Sequence, residues 1–161
     1  MVAYAGKIKF LGYGFYKNQK GFGLRVHKKT VSKMHTRVKE LTSRRTVNNY
    51  EEWKQMLKRF VAGWVNYYKL ADMKKLLEST DEWMRRRIRM VFWKKWKRIR
   101  TKYRNLRKLG MSHEKAYMTA NSRRGYWFVA NTPVMQTALS NTRLERAGFQ
   151  SFSAYYKSVA A

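Results

Sequence analysis

The chain has 161 residues, and its 37 Lys and Arg residues against 9 Asp and Glu residues give a formal net charge of +28 at pH 7. A small soluble domain is comfortable at a net charge of roughly 2–8, so this charge predicts a polyanionic partner, while 44% hydrophobic and 16% aromatic residues predict a folded chain rather than a disordered basic tail. Cysteine is absent, which excludes disulfides and thiolate metal sites. No apolar run approaches the roughly 20 residues of a transmembrane helix, so no membrane partner is predicted. We therefore expect a soluble intracellular protein.

The first predicted element is a β-hairpin over residues 7–26. Apolar residues alternate with other residues on both sides of a polar, glycine-containing turn at residues 17–21. Two strands alone are only marginally stable. The hairpin is therefore expected to lie against the following helices or to belong to a sheet that another polypeptide completes.

Two amphipathic helices are predicted next, because the apolar period changes from two to 3.6 at about Thr30. The first helix has its apolar face over residues 31–41, with Thr30 or Ser32 as its N-cap. The second begins at Asn49, which forms a capping-box-like pair with Glu52 and precedes a wide apolar stripe. Such stripes are typical of helices that pack one face against a core.

A long helix, or two collinear helices, is predicted to follow a capping box formed by Ser79 and Glu82. Apolar residues recur along it at steps of three and four. Gly110 is predicted to end this helical stretch. Ser112 is predicted to cap a short helix that extends to about Ala120.

The remaining C-terminal residues predict further short helices. Thr132 and Pro133 begin one of them, and Gly148 closes that helix or its continuation. A final amphipathic segment covers residues 151–159, whereas residues 121–131 form a linker without an assigned element. The predicted fold class is mainly α, with an N-terminal hairpin, a helical bundle and short C-terminal helices.

The chain offers little that could form a catalytic or metal site. Its only aspartates, Asp72 and Asp81, each lie near a predicted helix start, where capping explains them. Two-metal phosphoryl transfer needs converging carboxylates, and His27, His35 and His113 lack the spacing of metal ligands. We therefore predict no catalytic residue and no metal ligand, and expect no cofactor in this chain.

The densest positive charge lies between Met84 and Lys108, a segment with thirteen Lys or Arg residues and no acid. Like charge over so many turns destabilises a helix unless phosphates neutralise it. Phe92 and Trp96 fit the core stripe, whereas Trp93 lies off it and is predicted to contact a base or sugar. The predicted RNA-binding residues of this segment and the first helix are Lys33, Arg37, Arg85, Arg86, Arg87, Arg89, Trp93, Lys94, Lys95, Lys97, Arg98, Arg100, Lys102 and Arg104.

A second basic and aromatic cluster lies within residues 122–127. Arginine suits phosphates and aromatic rings can stack on bases, although a turn that packs its rings inward would explain the same residues equally well. The candidate nucleic-acid contacts of this cluster are Arg123, Arg124, Tyr126 and Trp127.

Seven motifs follow one another along the chain at residues 10–13 (FLGY), 41–44 (LTSR), 62–68 (AGWVNYY), 83–89 (WMRRRIR), 93–97 (WKKWK), 122–127 (SRRGYW) and 148–152 (GFQSF). In this order they resemble group II intron reverse transcriptase/maturases. The resemblance covers nearly the whole chain.

The resemblance implies three segments. Residues 1–27 would be a β-hairpin from the end of the reverse-transcriptase palm. Residues 28–100 would be the maturase-specific domain, also called the thumb or X domain, which in the family grips intron RNA and template-primer duplex. Residues 101–161 would be a C-terminal helical region, which in related proteins contributes to DNA-target binding.

The family's fingers and most of its palm have no counterpart in this sequence, and neither has the Tyr-x-Asp-Asp metal site. The chain is therefore expected to be a C-terminal fragment that is not an enzyme by itself, with Mg²⁺ bound only in the missing palm.

The leading hypothesis is an RNA-binding maturase module that stabilises the active fold of a group II intron, in a cytoplasmic bacterial ribonucleoprotein. Its partners would be structured intron RNA and, further, a DNA target or the missing finger and palm portion. Charge reversal of Arg86, Arg89, Lys94 and Lys97 is expected to weaken binding and leave the fold intact. The alternatives are one half of a split reverse transcriptase, or a generic basic RNA- or DNA-binding protein.

Overall fold

The computed structural model describes residues 8–19 and 21–159. An antiparallel sheet of order β1-β2-β3 comes first, formed by Lys9–Phe10, Tyr13–Asn18 and Gly21–Val26. Leu11 and Gly12 have positive φ angles of 48° and 88°, which make the tight turn between β1 and β2. The predicted hairpin is confirmed, with β1 as an additional short strand; its first residue and the turn residue at position 20 lie outside the described residues.

The sheet lies against the helices. The Tyr13 hydroxyl donates a hydrogen bond of 2.5 Å to the carbonyl of Tyr67, and the ring of Tyr13 lies 5.3 Å from that of Tyr68. The backbone N–H of Asp72 donates to the carbonyl of Leu24 at 2.9 Å. These contacts supply the support that an isolated hairpin would lack.

Helices α1 (Lys28–Leu41) and α2 (Tyr50–Tyr68) follow. Helix α1 begins earlier than predicted, because His27 is its N-cap and accepts a hydrogen bond from the N–H of Lys29. Thr30 instead donates from its hydroxyl to the carbonyl of Gly12 at 3.0 Å. The prediction for Asn49 is confirmed: its side chain accepts from the N–H of Glu51 at 2.8 Å.

Helix α3 covers Lys74–Lys95 and α4 covers Ile99–Lys108, so the long helical stretch consists of two helices. Lys97, with φ of 31°, lies in the break between them. The predicted start at Ser79 is wrong, because this residue lies inside α3 and its hydroxyl donates to the carbonyl of Leu76. Gly110, with φ of 91°, follows α4 as predicted.

Five shorter helices complete the described part of the chain: α5 (His113–Ala120), α6 (Tyr126–Val129), α7 (Pro133–Ala138), α8 (Asn141–Arg146) and α9 (Phe152–Val159). The predicted caps Ser112 and Thr132 are confirmed, because each side chain accepts a hydrogen bond from the first turn of its helix. The unassigned linker contains α6. The fold class is mainly α, as predicted, and none of the described helices is long and apolar enough to cross a membrane.

One hydrophobic core runs from the sheet to α9. Trp53, Leu57 and Leu77 are buried at its centre, and the ring of Phe152 packs edge-on against Trp64 at 5.9 Å. All three predicted segments therefore contribute to the same core, and their boundaries stay predictions.

Asp81 joins α3 to α9. Its side chain is 1% exposed, and its carboxylate accepts hydrogen bonds from the N–H of Phe152 at 2.7 Å, the N–H of Ser153 at 2.9 Å and the hydroxyl of Ser153. Asp81 therefore caps a helix, as predicted, but the capped helix is α9 and not α3, in which Asp81 lies.

Candidate nucleic-acid interface

Positive charge dominates the surface because few cations have an acidic partner. Three ion pairs form among residues 8–19 and 21–159: Arg37 with Glu40 at 2.7 Å, Lys54 with Glu51 at 2.6 Å, and Arg85 with Glu145 at 3.2 Å. The first two pairs lie within single helices and involve exposed glutamates, so they contribute little stability. Most Lys and Arg residues in the described part of the chain therefore have no acidic partner.

Three arginine side chains of α3, those of Arg86, Arg87 and Arg89, hold other elements in place. Arg86 donates from Nε and Nη2 to the carbonyl of Trp127 at 3.1 and 2.9 Å, which fastens α6 to α3. Arg87 donates to the hydroxyl of Thr42 at 2.6 Å and to the carbonyl of Lys39 at 3.3 Å, which fastens the end of α1. Carbonyls at a helix C-terminus lack partners within the helix, and a guanidinium satisfies them while favouring the negative end of the dipole.

Arg89 is the most buried of these arginines, with 6% of its surface exposed. It donates to the carbonyl of Leu139 and to Oδ1 of Asn141, both at 2.9 Å. Burial, and secondarily the charge of Arg85, lower the pKa of its guanidinium from the ordinary value. The prediction that Arg89 contacts RNA is wrong, because its side chain connects α3 to the segment between α7 and α8.

Trp93 also lies inside the protein. The side chain is 1% exposed, and the ammonium of Lys102 lies 4.5 Å from the centre of its ring. A helical wheel drawn for one long helix puts Trp93 off the apolar face, but the break at Trp96 to Arg98 lets α4 turn back over it. The predicted contact of Trp93 with a base or sugar is therefore wrong.

The other predicted contacts divide by exposure. Arg85, Arg86, Arg87, Lys94, Lys95 and Lys102 are half-buried, whereas Lys33, Arg37, Lys97, Arg98, Arg100, Arg104, Arg123 and Arg124 are exposed. Burial lowers the pKa of the Lys102 ammonium and of the Arg87 guanidinium. Six exposed cations lie in the break and α4, and the four of them that were predicted contacts, Lys97, Arg98, Arg100 and Arg104, are called the basic strip below.

Helix α6 carries three consecutive aromatic residues at the surface: Tyr126 is 49% exposed, Trp127 37% and Phe128 48%. This group is called the α6 platform below. Tyr126 and Trp127 were predicted contacts, and both rings are accessible. Phe128 was missed, because a helix of four residues is too short to give a periodic pattern.

Cations from three parts of the chain lie over the rings of the α6 platform. The guanidinium of Arg86 is 4.0 Å from the ring centre of Trp127, and that of Arg124 is 4.4 Å from Phe128. The ammonium groups of Lys94 and Lys102 lie 5.4 and 5.9 Å from the ring centre of Tyr126. The rings and a cluster of positive charge thus occupy the same place on the surface.

Acidic residues do not converge anywhere in the described part of the chain, and no group of three His, Asp or Glu residues there could hold a metal ion. Asp72 accepts a hydrogen bond from the hydroxyl of Tyr16 at 3.1 Å, and Asp81 holds α9. Both aspartates have structural partners.

The fold and the charge together define a mainly helical protein whose unpaired cations and exposed aromatic residues lie side by side. Residues 31–110, from the first turn of α1 to the glycine that follows α4, match the family model for the group II intron, maturase-specific domain. The chain therefore belongs to the group II intron maturases. No curated protein matches the chain significantly.

Proposed function

We propose that this chain binds structured group II intron RNA and assists its splicing, in a cytoplasmic bacterial ribonucleoprotein. The observation that carries the proposal is the acid-free stretch between Glu82 and Glu114, which includes the second half of α3, the basic strip and all of α4. All but its last three residues lie inside the matched maturase-specific domain. In a full-length protein the same domain would also contact the template-primer duplex, and the C-terminal helices a DNA target.

The affinity would be largely electrostatic. Lys and Arg side chains displace counterions from phosphates, and irregular RNA is recognised by its shape and by its unpaired bases. The basic strip is suited to phosphates because its four side chains are exposed and have no acidic partner. The buried arginines of α3 would contribute indirectly, by holding the surrounding helices.

The test is the salt dependence of binding to intron RNA. If six to ten phosphates are engaged, log K should fall with log[salt] at a slope of roughly −4 to −9. Competition with generic RNA and duplex DNA belongs in the same experiment. A slope near zero would contradict the proposal, and equal competition by every nucleic acid would indicate a generic basic protein.

A charge-reversal variant localises the binding. The triple variant Arg98→Glu, Arg100→Glu and Arg104→Glu should weaken binding and leave the circular dichroism spectrum unchanged, because two of these positions lie at the start of α4, where acids are favourable. The matched control reverses three exposed lysines in the first turns of α1 and α3, Lys28, Lys29 and Lys75. Equal losses in both triple variants would show that total charge, not the basic strip, determines affinity.

A second candidate function is complementation of a split reverse transcriptase. The favouring observation is the sheet, whose outer strands β1 and β3 carry Phe10 and Phe22 with 63% and 70% of their surface exposed. Exposed edges with apolar side chains are suited to pairing with a further strand. Mixing the chain with a separate finger and palm polypeptide, which would hold Mg²⁺, should then restore primer extension. No gain over either polypeptide alone would exclude this function.

A further inference from the structure

The aromatic side chains of the α6 platform are more exposed than the packing of α6 requires. Three large aromatic residues in succession would be expected to bury most of their surface, yet each of these rings leaves more than a third exposed. Val129, the next residue, is 1% exposed and supplies the apolar anchor of α6. The rings of the platform are therefore not needed to attach the helix.

The platform is held rigidly. The two hydrogen bonds from Arg86 to the Trp127 carbonyl fix the backbone of α6, and the same guanidinium lies 4.0 Å over the Trp127 ring. Successive residues of a helix point about 100° apart, so the three rings face different directions. A single strand could stack on one or two of them, but not on all three at once.

The charged groups that lie over the rings of the platform are all cations. Lys94, Lys102 and Arg124 lie within 6 Å of its ring centres, and Arg123 is exposed beside it. Residues 83–113 and 115–144 contain no Asp or Glu. An acidic protein surface would pair with the cations but not with the rings, and an apolar surface would cover the rings but not neutralise the cations. A polynucleotide supplies both base faces for the rings and phosphates for the cations.

We propose that the α6 platform binds unpaired bases of an RNA strand by stacking on Trp127 and a neighbouring ring, with Arg123 and Arg124 on the adjacent phosphates. Bases within a duplex already stack on each other, so their faces are not available to a protein ring. The platform therefore selects unpaired over paired RNA. This inference rests on the proposed function only in requiring that the chain bind RNA.

The experiment uses an oligoribonucleotide of about 12 nucleotides, within the range of strand lengths that such sites cover, with one 2-aminopurine, both unpaired and annealed to its complement. Anisotropy gives Kd, and quenching of the 2-aminopurine reports stacking. Trp127→Ala should weaken binding of the unpaired strand by about tenfold, abolish the quenching and change the duplex Kd by less than about twofold. Trp127→Phe should retain quenching, because a ring remains.

Two further comparisons separate stacking from charge. The paired substitution Arg123→Gln and Arg124→Gln should make the salt slope less steep by about 0.7 per lost phosphate contact, whereas Trp127→Ala should leave the slope unchanged. Phe22→Ala, which removes an even more exposed ring on β3, is the control and should have no effect on quenching. If Trp127→Ala unfolds α6, Phe128→Ala and Tyr126→Ala carry the same test.

The outcomes distinguish this inference from the proposed function. If the ring variants bind unpaired and paired RNA like the wild type while the salt slope stays steep, the stacking role of the α6 platform is overturned and the proposed binding of RNA by the chain is retained. Equal losses for unpaired and paired RNA also overturn it. A slope near zero in the wild type overturns both proposals. A deoxyribonucleotide strand of the same sequence, if bound more tightly than the RNA, would overturn the choice of RNA.

Discussion

At the residue scale, Asp81 shows how one acidic side chain organises a basic protein. The Asp81 carboxylate lies in the middle of α3, yet it accepts its hydrogen bonds from the first turn of α9, seventy-one residues away in the case of Phe152. An anion at the positive end of a helix is favourable, and here it also satisfies backbone N–H groups that burial removes from water.

Replacing Asp81 with Ala should destabilise the protein by about 3 kcal/mol, because buried donors at the start of α9 would lose a charged acceptor. The free energy of unfolding, measured by urea titration, checks this expectation. Glu78→Ala is the control, since Glu78 is exposed on the same helix and such changes usually stay within about 0.5 kcal/mol. Equal stability of the two variants would show that α9 does not depend on Asp81.

His35 is the residue whose environment predicts a pH dependence. Its ring lies 4.7 Å from that of Trp83, and its Nε2 is buried with no hydrogen-bond partner among the described residues. Burial, followed by the charge of Lys39, lowers the pKa of the imidazole from its ordinary value. The folded state therefore binds the proton less readily than the unfolded state.

Stability should accordingly fall as pH decreases from about 7 to about 5, because the unfolded chain gains a proton there that the folded protein resists. The effect should cease below the pKa of the folded state. Urea midpoints at both pH values test this in the wild type and in His35→Phe, which keeps a ring against Trp83 but cannot titrate. If both proteins lose the same stability on acidification, His35 is not the cause.

At the element scale, several helix caps could be predicted from the sequence, although the predicted start at Ser79 was wrong. Contacts between distant elements could not be predicted. Asn49, Ser112 and Thr132 cap helices that begin at the next residue, so local chemistry was sufficient to find them. Arg89 donates to Leu139, fifty residues further on. No periodicity within α3 could show that α7 would place a carbonyl there.

The same limit explains the error in the basic segment. Charge alone predicted that the cations of α3 from Arg85 onward face nucleic acid, but a guanidinium satisfies helix-end carbonyls as well as it binds phosphate. The side chains of Arg86 and Arg89 therefore have a structural role, because they hold other helices in place, and we expect reversal of their charge to destabilise the fold. Lys97 and Arg100 are exposed and have no acidic partner, and their contact with RNA stays a prediction.

Replacing Arg89 with Ala should lower the free energy of unfolding by about 2–3 kcal/mol, since a buried carbonyl and a side-chain amide lose a charged donor. Arg89→Lys should recover only part of this loss, because an ammonium cannot reproduce the planar fork. Arg104→Ala, on the exposed face of α4, is the matched control in the urea titration. Unfolding energies that do not distinguish Arg89→Ala from Arg104→Ala would contradict the anchoring role.

At the scale of the whole molecule, the maturase-specific domain and the helices after it fold as one unit. The matched region ends at residue 110, yet α9 packs Phe152 against Phe60 and Trp64 of α2. This shared core has to hold together against the repulsion of a net charge of +28, with three ion pairs among the described residues to offset it.

That repulsion predicts opposite effects of salt on stability and on RNA affinity. Raising NaCl from 0.1 to 1 M shortens the Debye length from about 10 to about 3 Å, so the urea midpoint of the free protein should rise while RNA binding weakens. The triple variant Lys97→Gln, Arg100→Gln and Arg104→Gln removes three exposed cations without touching the core. It should be more stable than the wild type at 0.1 M NaCl and gain less from added salt. A urea midpoint that falls as salt is added would mean that attraction within ion pairs outweighs the repulsion among cations. The free protein would then not need a bound RNA to reduce that repulsion.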